Sequence, residues 1–320
     1  MRVLVLGAAG FLGTRFVRRL VADARIAGRR IDEMVLFDAR AASVPDHAPM
    51  RVTQVQGDLR DAAVLDRLFE APVDAVLHLA ATLTLDAESD FARGLQTNVL
   101  GLVELLERCR RARTAPMLLF ASSISTFGGK LPETVDDDVF QAPGTSYGTH
   151  KAVAELLLAD YSRHGYIDGR ALRLPIVLTH PGPASGSISD QVAALIREPL
   201  RGQPTACRMQ RDSRMAVASV DKVVDSFLHL AALPADALQA ARIMNLPGLT
   251  VTPAQLVEAV DRHQPGAGAR VTWAADAKVQ AILDAWPRVF TSRRALALGF
   301  TPDAGTDALV ASFLAAETTR

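Results

Sequence analysis

Short apolar runs alternate with amphipathic stretches along the first half of the chain. Each run is bounded by glycine or polar residues, which is typical of a strand in a covered sheet. The predicted strands lie at residues 2–6, 34–37, 52–56, 75–79, 117–121 and 170–174. Helical periodicity fills the intervals at residues 11–24, 62–69, 91–111 and 147–164. Strands that alternate with helices indicate βαβ units and a parallel sheet.

The pattern changes after residue 175. Glycine and proline predict a loop around residues 181–187, and helices are expected at 188–196 and 221–232. The chain beyond residue 252 is predicted mostly helical with one strand at 269–273, and another strand at 242–246 is expected to return to the first sheet. The sequence therefore predicts the α/β class. A doubly wound parallel sheet of Rossmann type is expected over residues 1–175, and a smaller mixed α/β substrate lobe over residues 176–320.

Charge and cysteine content narrow the function classes. Lysine plus arginine equals aspartate plus glutamate, 35 of each, so the chain lacks the basic excess of nucleic-acid-binding proteins. No apolar run approaches the roughly 18 residues of a membrane span, and a strand predicted from residue 2 leaves no room for a secretion signal. Cys109 and Cys207 match no metal-ligand spacing. We expect a cytoplasmic protein with reduced thiols, without a metal site, a nucleic-acid partner or a membrane contact.

Small residues follow the first predicted strand and precede the first helix. Such residues let the backbone turn tightly beneath a pyrophosphate, to which the helix start offers N–H groups. Glycine turns also serve backbone geometry alone, but this position in a βα unit indicates a dinucleotide. The predicted contacts in this turn are Gly7, Ala9, Gly10, Phe11, Leu12 and Gly13.

Acidic residues follow the second and third predicted strands. Asp38 can accept hydrogen bonds from the adenosine ribose and disfavour a 2′-phosphate, which predicts NAD, whereas the nearby Arg40 would favour NADP. Asp58 either meets the adenine amino group or caps the helix that begins near residue 61. Further cofactor contacts are expected from Leu59, Leu79, Ala80 and Ala81.

Tyr147 and Lys151 are spaced by one helical turn and share a helix face. A phenol is a poor base at neutral pH, but an adjacent ammonium and an oxidised nicotinamide both lower its pKa. Ser123 follows the fifth predicted strand and can donate a hydrogen bond to a substrate oxygen. The pair predicts a general base with its activating cation, and Ser123 a residue that holds the substrate. We therefore expect both Tyr147 and Lys151 to contact the cofactor as well.

The order of the glycines, Asp38, Ser123, Tyr147 and Lys151 resembles that of the extended short-chain dehydrogenase/reductases, over essentially the whole chain. The resemblance implies Ser123, Tyr147 and Lys151 as the catalytic trio. It also implies that Asn98 supports the active-site geometry. By the same likeness, residues 173–177 line the nicotinamide pocket, with Pro175 and Val177 as cofactor contacts.

Five segments resemble the D-erythronate dehydrogenase subgroup: residues 145–149, 160–163, 168–175, 196–200 and 245–248. This likeness implies NAD-dependent oxidation of the C2 hydroxyl of a small sugar acid or related polyol to a 2-oxo acid. It also implies a homodimer formed through residues 91–111 and 147–164. Besides Ser123 and Tyr147, substrate contacts are expected from Ser125, Arg173, His180 and Arg214. Arg208 and Arg211 are alternatives to Arg214 for the substrate carboxylate.

Two other functions remain open on the same scaffold. A nucleotide-sugar epimerase or dehydratase would keep its NAD bound and would need a nucleotide pocket in the second lobe. A protein that binds NAD without turnover would be expected to lack Tyr147 or Lys151, and this chain has both.

Overall fold

The computed structural model describes residues 1–178, 187–238 and 242–318. In chain order the strands are β1 (Arg2–Leu6), β2 (Arg25–Ile26), β3 (Arg29–Arg30), β4 (Glu33–Asp38), β5 (Arg51–Gln56), β6 (Ala75–His78), β7 (Met117–Ser123), β8 (Thr134–Val135), β9 (Asp168–Leu174), β10 (Ile176–Leu178), β11 (Thr205–Cys207), β12 (Met215–Ser219), β13 (Ile243–Asn245), β14 (Leu249–Val251), β15 (Val271–Trp273) and β16 (Val289–Phe290).

The helices surround these strands. They are α1 (Phe11–Asp23), α2 (Ala62–Leu68), α3 (Thr84–Ser89), α4 (Phe91–Leu95), α5 (Gly101–Ala112), α6 (Ser146–Arg163), α7 (Ile188–Leu200), α8 (Val220–Ala232), α9 (Pro253–His263), α10 (Ala277–Asp284), α11 (Arg293–Ala297) and α12 (Thr306–Thr318). A π-helical turn (Gln96–Leu100) joins α4 to α5, and 3₁₀ turns lie at Ile124–Thr126 and Gly268–Arg270. Across the three described ranges, no helix is long and apolar enough to cross a membrane.

The chain folds as two units, each built from three segments. The first unit comprises residues 1–126, 145–173 and 224–244. The second comprises residues 127–144, 174–223 and 245–320. A segment following β7 therefore belongs to the second unit, and most of α8 and β13 belong to the first.

The first unit is built around a seven-stranded sheet with the order β13-β9-β7-β6-β1-β4-β5. The five strands from β7 to β5 pair in parallel, with Phe37, Leu6, His78 and Phe120 in one row near their carboxyl ends. The predicted Rossmann-type sheet is thus confirmed, and β13 joins its edge as expected for a returning strand. The carboxyl ends of parallel strands form the edge at which α/β proteins bind ligands.

Helices cover both faces of this sheet. On one face Leu4 and Leu6 of β1 join a buried cluster with residues of α2, α5 and α6. Val3 and Val5 point the other way because side chains alternate along a strand. Among the helices outside that cluster, Phe16 of α1 packs edge-to-face on Phe227 of α8, with 5.6 Å between ring centroids.

The second unit is a smaller mixed α/β structure. Strand β12 pairs in parallel with β10 and antiparallel with β14, and β11 pairs in parallel with β15. Its core draws apolar residues from these strands and from α7, α9, α10 and α12. Most of its strands have two or three residues, too short to be predicted from an apolar pattern.

The helix predicted over residues 91–111 is interrupted. The chain forms α4, then the π-helical turn, then α5, and the short helix α3 precedes them without having been predicted. The apolar period runs through the turn, so sequence alone predicts one helix. The turn matters because it carries Asn98, and π-helical turns are frequent at functional sites.

Candidate active site

The glycine-rich turn between β1 and α1 is packed too closely to hold side chains at two positions. Gly7 has φ +87°, and a Cβ there would lie 2.6 Å from the Ala80 backbone nitrogen. A Cβ on Gly13 would lie 2.0 Å from the Gly7 carbonyl oxygen. This packing brings the start of α1 against the ends of β1 and β6, so backbone N–H groups and the helix dipole converge at the sheet edge.

Asp38 lies directly beside this turn. Its Oδ2 accepts a hydrogen bond from Ala9 N at 3.0 Å, and its Oδ1 accepts one from Arg40 N at 3.1 Å. The Arg40 guanidinium also reaches the turn, donating to the Ala9 carbonyl at 3.4 Å. Asp38, which favours NAD, and Arg40, which would favour NADP, therefore both lie at this turn.

Asp58 does not cap a helix, so that interpretation was wrong. The cap of α2 is Asp61, which accepts hydrogen bonds from Ala63 N and Val64 N. Asp58 instead forms an ion pair with Arg60 at 2.6 Å, and this guanidinium lowers the pKa of the Asp58 carboxyl. The remaining expected cofactor contacts on these loops divide by burial: Leu59 is buried, and Leu79, Ala80 and Ala81 are half-buried.

The three residues predicted as the catalytic trio come together within the first unit. Ser123 is the last residue of β7, and Tyr147 lies in the first turn of α6, where its phenol neighbours the Ser123 hydroxyl. Ser123 Oγ also accepts hydrogen bonds from Ser125 Oγ at 2.9 Å and Ser125 N at 3.2 Å. A hydroxyl has two acceptor positions and one proton, so the Ser123 proton remains available for Tyr147 or a substrate oxygen. Ser125 therefore orients Ser123.

Lys151 is buried beneath Tyr147, with 3% of its surface exposed. Its Nζ donates to the Ala121 carbonyl at 2.6 Å and lies 4.4 Å from the Phe120 ring centroid and 5.5 Å from that of Tyr147. Burial lowers the pKa of Lys151 to about 7, and the Glu155 carboxylate opposes this shift. Burial raises the pKa of Tyr147 to about 12, an effect that the neighbouring Ser123 hydroxyl opposes. Without a further positive charge, the phenol stays protonated at neutral pH.

Asn98 hydrogen-bonds both to the segment that follows β6 and to α6. Its Oδ1 accepts from Thr82 N at 2.8 Å, and its Nδ2 donates to the Thr82 carbonyl at 2.9 Å. Nδ2 also lies 3.3 Å from His150 Nδ1. Because the amide nitrogen donates, His150 accepts through Nδ1. Asn98 thus links the segment after β6 to the helix that carries Tyr147 and Lys151.

Arg173 departs from its expected role as a substrate contact. Its Nε lies 3.0 Å from both carboxylate oxygens of Glu155, and its Nη2 donates to Oε2 at 2.9 Å. Both side chains are buried, so this guanidinium is committed to an internal ion pair. Sequence reasoning missed Glu155, although it lies one further turn along α6 from Lys151, a spacing that could have pointed to it.

The other predicted contacts belong to the second unit or to undescribed residues. Arg214 is exposed and pairs with Glu133, and Arg208 pairs with Asp276. Arg211 stacks over the Trp273 ring, 4.3 Å from its centroid. Pro175 is buried and Val177 is half-buried in β10. His180 lies outside the described residues.

A family model provides the assignment that this geometry suggests. The model described as the NAD dependent epimerase/dehydratase family matches residues 3–246. The chain belongs to that family. It is an NAD-dependent oxidoreductase of the extended short-chain dehydrogenase/reductase type, acting on CH–OH groups. The close-packed turn at Gly7 and Gly13, with Asp38 beside it, fits the dinucleotide.

Two relatives match nearly the full length of the chain. A D-erythronate dehydrogenase of Cupriavidus necator is 40% identical over 319 residues, which cover 98% of each chain. A D-erythronate dehydrogenase of Haemophilus influenzae is 35% identical over 322 residues, covering 98% of this chain and 99% of that protein. The predicted resemblance to this subgroup is thereby confirmed.

Solved structures match the fold closely. A nucleoside-diphosphate-sugar epimerase of Agrobacterium tumefaciens superposes with a TM-score of 0.95 at 31% identity, covering 100% of this chain and 95% of that one. The holo form of an L-threonine dehydrogenase of Cupriavidus necator superposes with a TM-score of 0.86 at 23% identity, covering 99% and 100%. The second likeness concerns the fold alone.

Proposed function

We propose that the protein oxidises the C2 hydroxyl of D-erythronate, or of a closely similar sugar acid, to a 2-oxo acid, with Tyr147 as general base. The observation that carries the proposal is the grouping of Ser123 and Tyr147 with the buried Lys151. The two D-erythronate dehydrogenases at 40% and 35% identity support the choice of substrate.

In this mechanism Tyr147 Oη takes the proton of the substrate hydroxyl. The phenol must first lose its own proton, and its pKa of about 12 shows how far burial opposes that loss. The Lys151 ammonium supplies one stabilising charge. NAD, when bound, supplies a hydride acceptor and a second positive charge. Ser123 donates its remaining proton to the substrate oxygen and fixes the carbon–hydrogen bond in place.

The carboxylate of the substrate requires a cationic partner, and we assign this role to Arg214. This arginine would exchange Glu133 for the substrate, since both side chains are exposed and an exposed pair contributes little stability. Arg211 is the alternative, because stacking on Trp273 engages the face of its guanidinium and leaves the N–H edges for hydrogen bonds. His180 remains a proposed substrate contact, and Pro175 and Val177 remain proposed cofactor contacts.

The substrate assignment is tested by NAD reduction with a panel of aldonates and uronates of four to six carbons. We expect D-erythronate to give the highest kcat/KM, with reduced nicotinamide followed by absorbance and the 2-oxo product identified by mass. Xylitol and other polyols without a carboxylate serve as controls and should react poorly. A panel in which no acid reduces NAD would overturn the assignment.

Nucleotide-sugar epimerisation is the second candidate. It is favoured by the 31% identity and TM-score of 0.95 to the nucleoside-diphosphate-sugar epimerase. An epimerase would retain NAD through purification and interconvert nucleotide sugars with no net change in reduced cofactor. Incubation with uridine diphosphate sugars, followed by chromatography of the products, distinguishes the two activities.

We also propose a homodimer formed through the helices of the first unit. Large apolar side chains are exposed there on α6 and on the segments packed against α6, among them Leu156 at 71% and Phe91 at 61%. Apolar surface of this kind marks interaction sites. Light scattering should give twice the 34.3 kDa chain mass, and Leu156→Glu should give the monomer. A wild-type monomer would refute the dimer.

A cytoplasmic location is supported by Cys109 and Cys207, both of which are free thiols.

A further inference from the structure

Glu155 is a buried carboxylate outside the catalytic trio. Only 2% of its surface is exposed, and Arg173 donates to both of its oxygens. Ser122 Oγ donates a further hydrogen bond to Oε1. Both carboxylate oxygens are therefore hydrogen-bonded, and the guanidinium compensates for the burial of the acid.

Helix geometry places this carboxylate next to the catalytic lysine. Tyr147, Lys151 and Glu155 follow each other at intervals of four residues, so they form one stripe along α6. Lys151 and Glu155 both hydrogen-bond to strand β7. Lys151 donates to the Ala121 carbonyl, and Glu155 accepts from the Ser122 hydroxyl. Ser123, the substrate-holding residue, follows directly. The same two side chains therefore tie α6 to the end of β7.

The charges around Lys151 identify Glu155 as its counterion. Burial drives the lysine towards its neutral form, with a pKa of about 7, and the carboxylate of Glu155 is the group that opposes this effect. His78 of β6 also faces the lysine, but burial and the lysine charge lower its pKa to about 3, so it is neutral. Tyr147 is uncharged at neutral pH, and Arg173 of β9 is paired with the Glu155 carboxylate.

We infer that Glu155 is a positioning residue that keeps Lys151 in its ammonium form and in place beside Tyr147. Arg173 and Ser122 hold the carboxylate in the orientation that this role requires. The inference rests on the proposed function only in giving Lys151 its role towards Tyr147. The state of the lysine itself can be measured without substrate or cofactor.

The chain contains only four lysines, at positions 130, 151, 222 and 278, so ¹³C labelling at lysine Cε gives four signals to follow against pH. Lys151 should titrate near pH 7, apart from the other three. Glu155→Gln should lower its midpoint by about one pH unit or more, the effect of removing a neighbouring opposite charge. Glu155→Asp keeps the charge and should restore part of the shift. Asp160→Asn, an exposed acid-to-amide change on the same helix, should leave the midpoint unchanged.

Removal of Glu155 alone leaves Arg173 buried without its counterion and can prevent folding. The double variant Glu155→Gln/Arg173→Met removes both charges and should fold. Because the carboxylate is the charge that favours the ammonium form of Lys151 and Arg173 is its ion-pair partner, the Lys151 midpoint should still fall, by less than in the single variant. An unchanged midpoint in a folded Glu155→Gln or double variant would overturn the inference.

The kinetic consequence provides a second readout. In Glu155→Gln, kcat at neutral pH should fall by roughly fivefold or more, following the lost ammonium fraction of Lys151, while NAD affinity changes little, and the loss should shrink towards lower pH, where the lysine is protonated again. A pH-independent loss would indicate a purely structural role and would contradict the inference. If the wild type oxidises no sugar acid but the lysine titrates as expected, the proposed function fails and this inference stands.

Discussion

The packing of the nucleotide turn can be tested by Gly7→Ala against Gly28→Ala. Both glycines have positive φ, +87° and +73°, so both substitutions carry the left-handed strain of about 1–2 kcal/mol. They differ in surroundings: a Cβ on Gly28 has no neighbour within 4 Å. A Cβ on Gly7 meets Ala80 N at 2.6 Å, and Ala80 Cα and Leu79 C at 2.9 Å. All three are backbone atoms, so the backbone directly after β6 must move.

This clash adds about 1–3 kcal/mol to the destabilisation by Gly7→Ala, for a total of about 2–5 kcal/mol. Displacement of the turn should also weaken NAD binding at least about tenfold, whereas Gly28→Ala should leave binding intact. Denaturant unfolding measures the first effect and titration calorimetry with NAD the second. Equal destabilisation and equal NAD affinity in the two variants would refute the argument that the turn is close-packed for the cofactor.

Three further predictions follow from single side chains. Asn98→Ala should lower the free energy of unfolding by about 2–4 kcal/mol, because the Thr82 N–H and carbonyl lose their partners; denaturant unfolding at the wild-type stability would contradict this. The folded protein keeps His78 neutral down to about pH 3, whereas the unfolded chain protonates it near pH 6.5, so stability should fall by up to about 1.4 kcal/mol per pH unit as the pH drops through this window. His78→Leu should reduce that slope in unfolding curves measured between pH 6.5 and 4, and an identical slope would refute the assignment. Arg214→Gln should raise KM for the acid with little change in kcat. An unchanged KM would indicate that Arg211 binds the substrate carboxylate instead.

The sheet could be predicted from the sequence because buried parallel strands consist of continuous apolar runs. The second unit could not be predicted in the same detail, since strands such as β10 and β16 have two or three residues and depend on tertiary pairing. The interleaving of the two units has the same origin: residues 127–144 belong to the second unit through contacts distant in sequence.

The proposed catalytic residues could be selected from the sequence because their order and spacing are local features. The ion-pair role of Arg173 could not be predicted. An arginine at the end of a strand suggests a contact with a ligand as long as its ion-pair partner is unknown. That partner, Glu155, lies 18 residues earlier on α6, and only folding brings the two together. The π-helical turn around Asn98 was equally invisible, since its residues continue the apolar period of α4 and α5.

The measurement that tests the central claim most directly compares wild type with Tyr147→Phe in NAD reduction by D-erythronate. The wild type should form reduced nicotinamide and the 2-oxo acid in equal amounts. The variant, which lacks only the phenolic oxygen, should bind NAD with similar affinity and lose activity by about 10²–10⁴-fold. Activity close to wild type in a variant that binds NAD would show that Tyr147 is not the base.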